Sequence, residues 1–193
     1  TYPNRFVDTC DYHQKAMSEF SVRVVRGDIT NIPVDAIVNA ANERMLGGGG
    51  VDGAIHRMAG HELLLACEDV EQIRPGVRCP TGEARITPAF NLPARHVIHT
   101  VGPVWNGGDQ DEGDLLGSAY RSSMELAVLH DCKTITFPCI STGVFSFPFE
   151  EACRIALNTI YEFEGNPTLE DILLVCFIER DESIYTGILA DFM

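Results

Sequence analysis

Short apolar runs alternate with longer segments of helical periodicity along most of the chain. The apolar runs predict strands over residues 22–25, 35–39, 84–89, 96–101, 134–138 and 172–178. In the remaining segments apolar side chains recur at helical spacing, which predicts helices over residues 53–70, 115–130, 149–163 and 183–192. Strands that alternate with helices indicate an α/β fold, a three-layer α/β/α sandwich with a mixed, mostly parallel central sheet.

The domain organisation follows from the same pattern. Residues 21–193 carry the alternating elements and are predicted to form a single domain, which suits a chain of 193 residues. Residues 1–20 are polar and mixed, and we expect a short helix or arm there. Ligands of mostly parallel sheets bind beyond the carboxyl ends of the strands, so the loops that follow strands are the places to search.

The charge of the chain restricts its partners. Lys and Arg number 14 against 28 Asp and Glu, which gives a net charge of −14. A surface this acidic repels a phosphate backbone, so long nucleic acid is not expected as a partner. A small phosphate ligand is still compatible, because backbone N–H groups at a helix start can hold it. No apolar run approaches the roughly 18 residues of a membrane span, and no signal-peptide pattern opens the sequence.

The cysteines indicate a reducing compartment. There are 7 of them, an odd number, and Cys139 and Cys176 lie in apolar runs as core thiols do. We therefore expect reduced thiols in a cytoplasmic protein. The spacing of His61, Cys67 and Cys79 matches no compact zinc site, so no metal is expected.

The loop between the second predicted strand and the first helix contains four consecutive glycines, Gly47 to Gly50. Glycines cost backbone entropy, so a purely structural turn rarely uses four of them. Their unshielded N–H groups at a helix start would form an anion cradle; a flexible surface loop is the alternative. Gly48, Gly50 and Gly53 also spell the G-x-G-x-x-G motif of dinucleotide-binding dehydrogenases. A dehydrogenase is disfavoured because the glycines stand too far from the strand. The loop also lacks the Lys-Ser/Thr of a P-loop, which disfavours ATP hydrolysis of that kind.

Asp52 does not suit a plain phosphate loop, because a carboxylate beside a diphosphate is electrostatically unfavourable. It could serve as the N-cap of the following helix. Alternatively, it could orient a water molecule or contact a ribose hydroxyl beside the phosphates.

A second loop, residues 138–148, follows the predicted strand 134–138. Ser141, Thr142 and Gly143 offer hydroxyl and N–H groups there. Phe145 and Phe147 could wall a sugar ring or belong to the core.

Together the two loops resemble those of the macrodomain family, in its MacroD-type branch. The resemblance covers about residues 21–193. It rests on separate motifs that occur in family order: residues 27–30 (GDIT), 35–42 (DAIVNAAN), 47–56 (GGGGVDGAIH), 79–84 (CPTGEA), 99–103 (HTVGP) and 141–144 (STGV).

The resemblance implies binding of ADP-ribose and of mono-ADP-ribosylated proteins, with no cofactor. It also implies hydrolysis of O-acetyl-ADP-ribose or of ADP-ribose esters on acidic side chains. A reader module that binds ADP-ribose without catalysis is the alternative. The presence of both Asn42 and Asp52 favours the enzyme, because a reader requires neither.

The resemblance also implies residue roles. Asp28 would accept a hydrogen bond from the adenine amino group, although it could equally cap the turn after the first strand, and Ile29 would donate its N–H nearby. Asn42 would hold the distal ribose and act in catalysis with Asp52. The other implied ligand contacts are Gly48, Gly49, Gly50, Val51, Ser141, Thr142, Gly143, Val144, Phe145 and Phe147.

Some positions depart from the family or admit two roles. Many relatives have glycine in place of Ser146 and tyrosine in place of Phe147. An aromatic residue often stands where Arg180 aligns, near the adenine, and Arg180 could stack on the base or point to water. His56 could pair with Asp52 as a base, but packing is the role we expect for it.

Overall fold

The computed structural model describes residues 20–164 and 168–193. The arm predicted for residues 1–20 therefore lies outside the described residues, except for Phe20, which is buried in the core.

The structure contains six strands, a short 3-10 helix and five α-helices within the described residues. The strands are β1 (Ser21–Arg26), β2 (Ala36–Ala40), β3 (Ala84–Pro88), β4 (His96–Thr100), β5 (Thr134–Phe137) and β6 (Asp171–Cys176). The 3-10 helix is Ile29–Asn31, and the α-helices are α1 (Gly50–Ala59), α2 (His61–Glu68), α3 (Glu112–Leu129), α4 (Phe149–Tyr161) and α5 (Glu179–Ala190).

The strands form one sheet in the order β1-β6-β5-β2-β4-β3. Every neighbouring pair is parallel except β3 and β4 at the edge. Helices α1 and α2 cover one face, where Ile55 and Leu63 pack on Ile37. Helices α3, α4 and α5 cover the other face around a larger core. The predicted three-layer sandwich with a mixed, mostly parallel sheet is confirmed.

Most predicted elements differ from the structure by one to four residues at an end; α3, for example, begins at Glu112 and α5 at Glu179 instead of at residues 115 and 183. Two of the differences have a clear physical reason. The helix predicted over residues 53–70 begins earlier, at Gly50, and is broken in two at Gly60. Gly60 has a φ of 94°, and a side chain there would come within 2.9 Å of Asn91 Nδ2. The strand predicted over residues 172–178 ends at Cys176, because Phe177 and Ile178 leave the sheet and are exposed.

The sheet positions the loops of interest. Strands β2, β5 and β6 lie side by side and run parallel, so their carboxyl ends meet at one edge of the sheet. The glycine loop follows β2, the second loop follows β5, and the short β6–α5 connection lies beside them. Among the described residues, no helix combines the length and apolar character needed to cross a bilayer.

Candidate active site

A cleft of about 430 Å³ opens over the carboxyl ends of β2, β5 and β6. It brings together most of the residues predicted as ligand contacts: Asn42, Gly48, Gly49, Gly50, Val51, Asp52, Ser141, Thr142, Gly143, Val144 and Phe145. Asp28, Ile29 and Phe147 do not line it. Other residues that line the cleft were not predicted as ligand contacts; they include Gly102, Val175, Phe177 and Asp181.

The glycine loop is held from within by Asn42. The Asn42 side chain donates to Gly47 O at 3.1 Å and accepts from Met45 N at 3.2 Å. A side chain at Gly48 would lie 3.1 Å from Asp52 Oδ2 and 3.4 Å from Asn42 Nδ2. Glycine at this position therefore keeps open a space on which the carboxylate and the amide converge.

The start of helix α1 offers donors to this cleft. Its N-cap is Gly49, which has no side chain to cap the first turn. The N–H groups of Gly48 to Val51 have no acceptor within the described chain. Unpaired N–H groups at a helix start favour an anion. Asp52 lies inside the first turn, so the possible role as N-cap is wrong for this residue.

Asp52 is held behind the glycine loop with a side chain that is only 6% exposed. Its Oδ1 accepts a hydrogen bond from Asn39 Nδ2 at 2.7 Å and lies 3.4 Å from His56 Nε2. Burial raises the pKa of Asp52, while the Asn39 hydrogen bond and the charge of His56 lower it. Because Oδ1 is taken, Oδ2 is the oxygen left for a water molecule or a hydroxyl near Gly48.

His56 lies beside Asp52. It stands one helical turn after Asp52, its side chain is mostly buried, and its Nε2 has no hydrogen-bond partner among the described residues. This position fits the packing role expected for His56 and leaves the alternative of pairing with Asp52 open.

The second loop supports its own shape. Ser146 N donates to Gly143 O and Phe147 N to Ser141 O, both at 2.9 Å. The N–H groups of Gly143, Val144 and Phe145 have no acceptor among the described residues. This loop therefore presents a second row of free donors to the cleft.

Ser141 fits closely against the end of β4. Its φ is 65°, it is 7% exposed, and its Oγ has no hydrogen-bond partner among the described residues. A side chain at Gly102 would overlap this Oγ. Gly102 therefore lets the second loop approach β4, and the Ser141 hydroxyl is buried at this contact.

Phe147 anchors the loop in the core instead of walling the cleft. It is 2% exposed, and its ring centroid lies 4.8 Å from that of Trp105. Of the two possible roles, Phe147 therefore belongs to the core, whereas Phe145 lines the cleft.

The β1–β6 corner lies at the other end of the cleft. Asp28 Oδ1 accepts from Thr30 N at 2.9 Å and from Thr30 Oγ1 at 2.6 Å, so it does cap the turn after β1. The side chain of Ile29, the next residue, is buried. Gly27 N donates to Cys176 O, which brings this corner beside Phe177.

Phe177 supplies an exposed aromatic ring at this end. Phe177 as a whole is 79% exposed, and it lines the cleft. Arg180 does not line the cleft; its exposed guanidinium pairs at 3.0 Å with Asp181, which does. Phe177 was missed in the sequence because it continues an apolar run and looks like strand.

The described part of the chain contains no group of three or more His, Cys, Asp and Glu side chains placed to hold a metal ion.

The six described cysteines form no disulfide. Cys139 packs against the larger core, with its Sγ 3.8 Å from that of buried Cys176, and it also lines the cleft.

Comparison with known proteins supports the family resemblance. A sequence model of the macro domain matches residues 38–156. A macro domain-containing protein of Ralstonia nicotianae is 54% identical over 86% of this chain and 92% of that protein. A Klebsiella pneumoniae protein named O-acetyl-ADP-ribose deacetylase is 53% identical over 88% of this chain and 96% of that protein.

Solved structures agree with the sequence relatives. The Oceanobacillus iheyensis macrodomain with ADP has a TM-score of 0.85 and 45% identity, and covers 91% of this chain and 93% of that one. The Trypanosoma brucei macrodomain in complex with ADP-ribose has a TM-score of 0.77 and 43% identity, over 87% of this chain and 68% of that one. The chain therefore belongs to the macrodomain family.

Proposed function

We propose that this protein binds ADP-ribose in the cleft and hydrolyses O-acetyl-ADP-ribose and the esters that join ADP-ribose to acidic protein side chains. One observation carries the proposal: two rows of unpaired backbone N–H groups line a single cleft that has Asn42 and Asp52 on its polar side. The Klebsiella relative's name and the ADP-ribose complex of the Trypanosoma neighbour support the same ligand.

The donors suit a diphosphate. Of the described residues that line the cleft, none is a lysine or an arginine, so the N–H groups must supply the attraction. The glycine loop contributes Gly48 to Val51, and the second loop contributes Gly143 to Phe145. A diphosphate held between them would extend its distal ribose toward Asn42 and Asp52, and its adenine toward Phe177.

Hydrolysis would use a positioned water molecule. Asp52 Oδ2 and a phosphate oxygen would hold this water beside the distal ribose, which Asn42 orients. The water oxygen forms a new C–O bond, a C–O bond of the ester breaks, and the two hydrogens of the water end on the ribose hydroxyl and on the carboxylic acid, which releases its proton to solvent as a carboxylate. Most of the acceleration would come from positioning, with the N–H groups stabilising charge on the diphosphate.

The test uses O-acetyl-ADP-ribose and a protein mono-ADP-ribosylated on Glu or Asp. Wild-type protein should release acetate from the first and the label from the second. Asp52→Ala should lower kcat by about 10²–10⁴-fold, the range for a lost acid–base group, while calorimetry still detects ADP-ribose. Glu125→Gln, on the exposed side of α3, is the matched control and should behave as wild type.

A reader module is the second candidate, and one observation favours it. Both polar atoms of the Asn42 side chain are already bonded to the loop backbone, so Asn42 also has a structural role. Tight ADP-ribose binding by wild type with both substrates left intact would establish a reader and overturn the hydrolase.

The adenine end can be tested separately by calorimetry. Phe177→Ala should weaken ADP-ribose binding by about tenfold, since stacking on an aromatic ring contributes about 1–3 kcal/mol. Phe177→Tyr keeps the ring and should bind as wild type. Asp28→Ala should also weaken binding; unchanged affinity would contradict its assignment to adenine.

A further inference from the structure

A row of buried polar side chains crosses the sheet behind Asp52, beneath α1 and α2. Asn39 on β2 and His99 on β4 face each other in the parallel register. Asn39 Nδ2 lies 2.7 Å from Asp52 Oδ1 and 3.2 Å from His99 Nδ1. His99 Nε2 lies 3.0 Å from the hydroxyl of Thr87 on β3. Asn39 and His99 are fully buried, and Thr87 nearly so.

The chemistry of this row fixes the position of each proton. The Asn39 amide nitrogen can only donate, and its two hydrogens point to Asp52 and to His99. His99 Nδ1 must therefore accept, which leaves its hydrogen on Nε2 to be donated to Thr87. Burial lowers the pKa of His99 to about 3, so the ring stays neutral.

The neutral ring in turn fixes Asn39. If the amide were flipped, its oxygen would face the Asp52 carboxylate and the His99 lone pair, both of which are acceptors. The observed orientation leaves Asn39 Oδ1 without a hydrogen-bond partner among the described residues. This unpaired acceptor costs free energy, but the same orientation lets the amide nitrogen donate to both Asp52 and His99.

We propose that Thr87 and His99 are positioning residues of the candidate active site, which hold the Asn39 amide so that Asp52 keeps Oδ1 bound and presents Oδ2 to the cleft. Neither residue lines the cleft, so both act through Asn39. This inference rests on the proposed hydrolase function, because it concerns the same carboxylate.

The surroundings give the pH dependence its sign. His99 is faced by Asn39 from β2, Thr87 from β3, the Cys67 thiol from α2 at 3.7 Å, and His56 from α1 at 6.4 Å between ring centroids. Asp52 is faced by Asn39 and His56, and it also interacts with the Cys67 thiol from α2, which burial and Asp52 keep protonated by raising its pKa. The Asn39 hydrogen bond lowers the pKa of Asp52, so loosening Asn39 should raise that pKa. The acid limb of the activity profile would then move to higher pH.

Thr87→Val is the sharpest variant, because valine keeps the shape and removes the acceptor for His99 Nε2. It should lower kcat by about tenfold and move the acid limb to higher pH. KM and the calorimetric affinity for ADP-ribose should stay within about twofold of wild type, because the N–H rows are untouched. Thr87→Ser restores the hydroxyl and should recover both kcat and the pH profile. A Thr87→Val protein with wild-type kcat and pH profile would overturn the proposal.

Two NMR measurements keep this inference separate from the hydrolase proposal. Nitrogen-15 spectra of wild type should show a neutral His99 with its hydrogen on Nε2 at pH 5. A carboxyl carbon-13 titration should show a higher Asp52 pKa in Thr87→Val than in wild type. A hydrogen on Nδ1, or an unchanged Asp52 titration, would overturn the positioning role whether or not the protein hydrolyses esters. Failure of hydrolysis with both spectra as expected would overturn only the proposed function.

Discussion

The glycine loop and the second loop line the same cleft with N–H groups that have no acceptor among the described residues, but different forces hold the two loops. The glycine loop is held by the polar side chain of Asn42, and Asp52 behind it is held in turn by Asn39. The second loop is tied by its own backbone hydrogen bonds and by the ring of Phe147 in the core.

This difference matches what each loop would have to do. Proton chemistry requires a carboxylate with a defined orientation, and hydrogen bonds supply direction. Gripping a diphosphate requires only that the N–H groups stay in place, and apolar packing is sufficient for that. We call Asn42, Asp52 and the buried row behind them the polar support, and the Phe147 anchor the apolar support. The stability that the polar support contributes should depend on pH, whereas that of the apolar support should depend on side-chain volume.

Phe147→Ala should be the most damaging change to the apolar support. Removing a fully buried aromatic ring costs about 3–5 kcal/mol of unfolding free energy. Urea denaturation measures the loss, and Phe145→Ala is the matched control because Phe145 is only partly buried. Equal losses for the two variants would show that Phe147 is not the anchor of this loop.

The polar support should weaken in acid. Unfolded chains protonate histidine near pH 6.5, whereas folded His99 stays neutral down to about pH 3. Between these values the unfolded state binds more protons, so stability falls as pH falls. The raised pKa of Asp52 acts in the opposite direction, since its contribution to stability is lost as pH rises.

Comparison of wild type with His99→Gln isolates the contribution of His99 to the pH dependence of the unfolding free energy. Between pH 6.5 and pH 4, wild type should lose roughly 3 kcal/mol more stability than this variant, at about 1.4 kcal/mol for each pH unit. Urea denaturation at both pH values measures it. Parallel losses in the two proteins would mean that His99 takes up its proton as readily in the fold as in the unfolded chain.

Gly53→Ala tests how the glycine loop sits on α1. An added Cβ would lie 2.6 Å from Gly48 O, a backbone atom that cannot rotate away. The overpacking should outweigh the better helix propensity of alanine and cost about 1–2 kcal/mol net. Gly187→Ala, in α5 with nothing within 4 Å, is the matched control and should gain up to about 1 kcal/mol. A gain at Gly53 as well would mean that the loop does not rest on the helix.

The elements and both loops could be predicted from the sequence because periodicity reports burial directly. The break at Gly60 could not, because its cause is the packing of Asn91, which is distant in the sequence. Phe177 was hidden because an exposed aromatic that follows an apolar strand has the same letter pattern as a buried one.

The residues behind Asp52 were harder to assign. Asn39 and His99 were part of the matched motifs, yet no role followed from them. Two polar residues within predicted strands are a signal that something buried must satisfy them. Only the strand order reveals the partners, because β2 and β4 are separated by about 60 residues in the sequence.

Ser146 gives the smallest expected effect and the finest test of the second loop. Its φ is 58°, in the left-handed region, which explains on steric grounds why glycine suits this position. Ser146→Gly relieves strain of about 1 kcal/mol but adds unfolded-state entropy of about 0.5–1 kcal/mol, so the net gain should be at most a few tenths. If packing and backbone hydrogen bonds hold this loop, ADP-ribose affinity measured by calorimetry should change by less than about twofold. A clear loss of affinity would instead mean that the serine itself stiffens the loop, and that the second loop depends on local backbone preference more than on its anchor in the core.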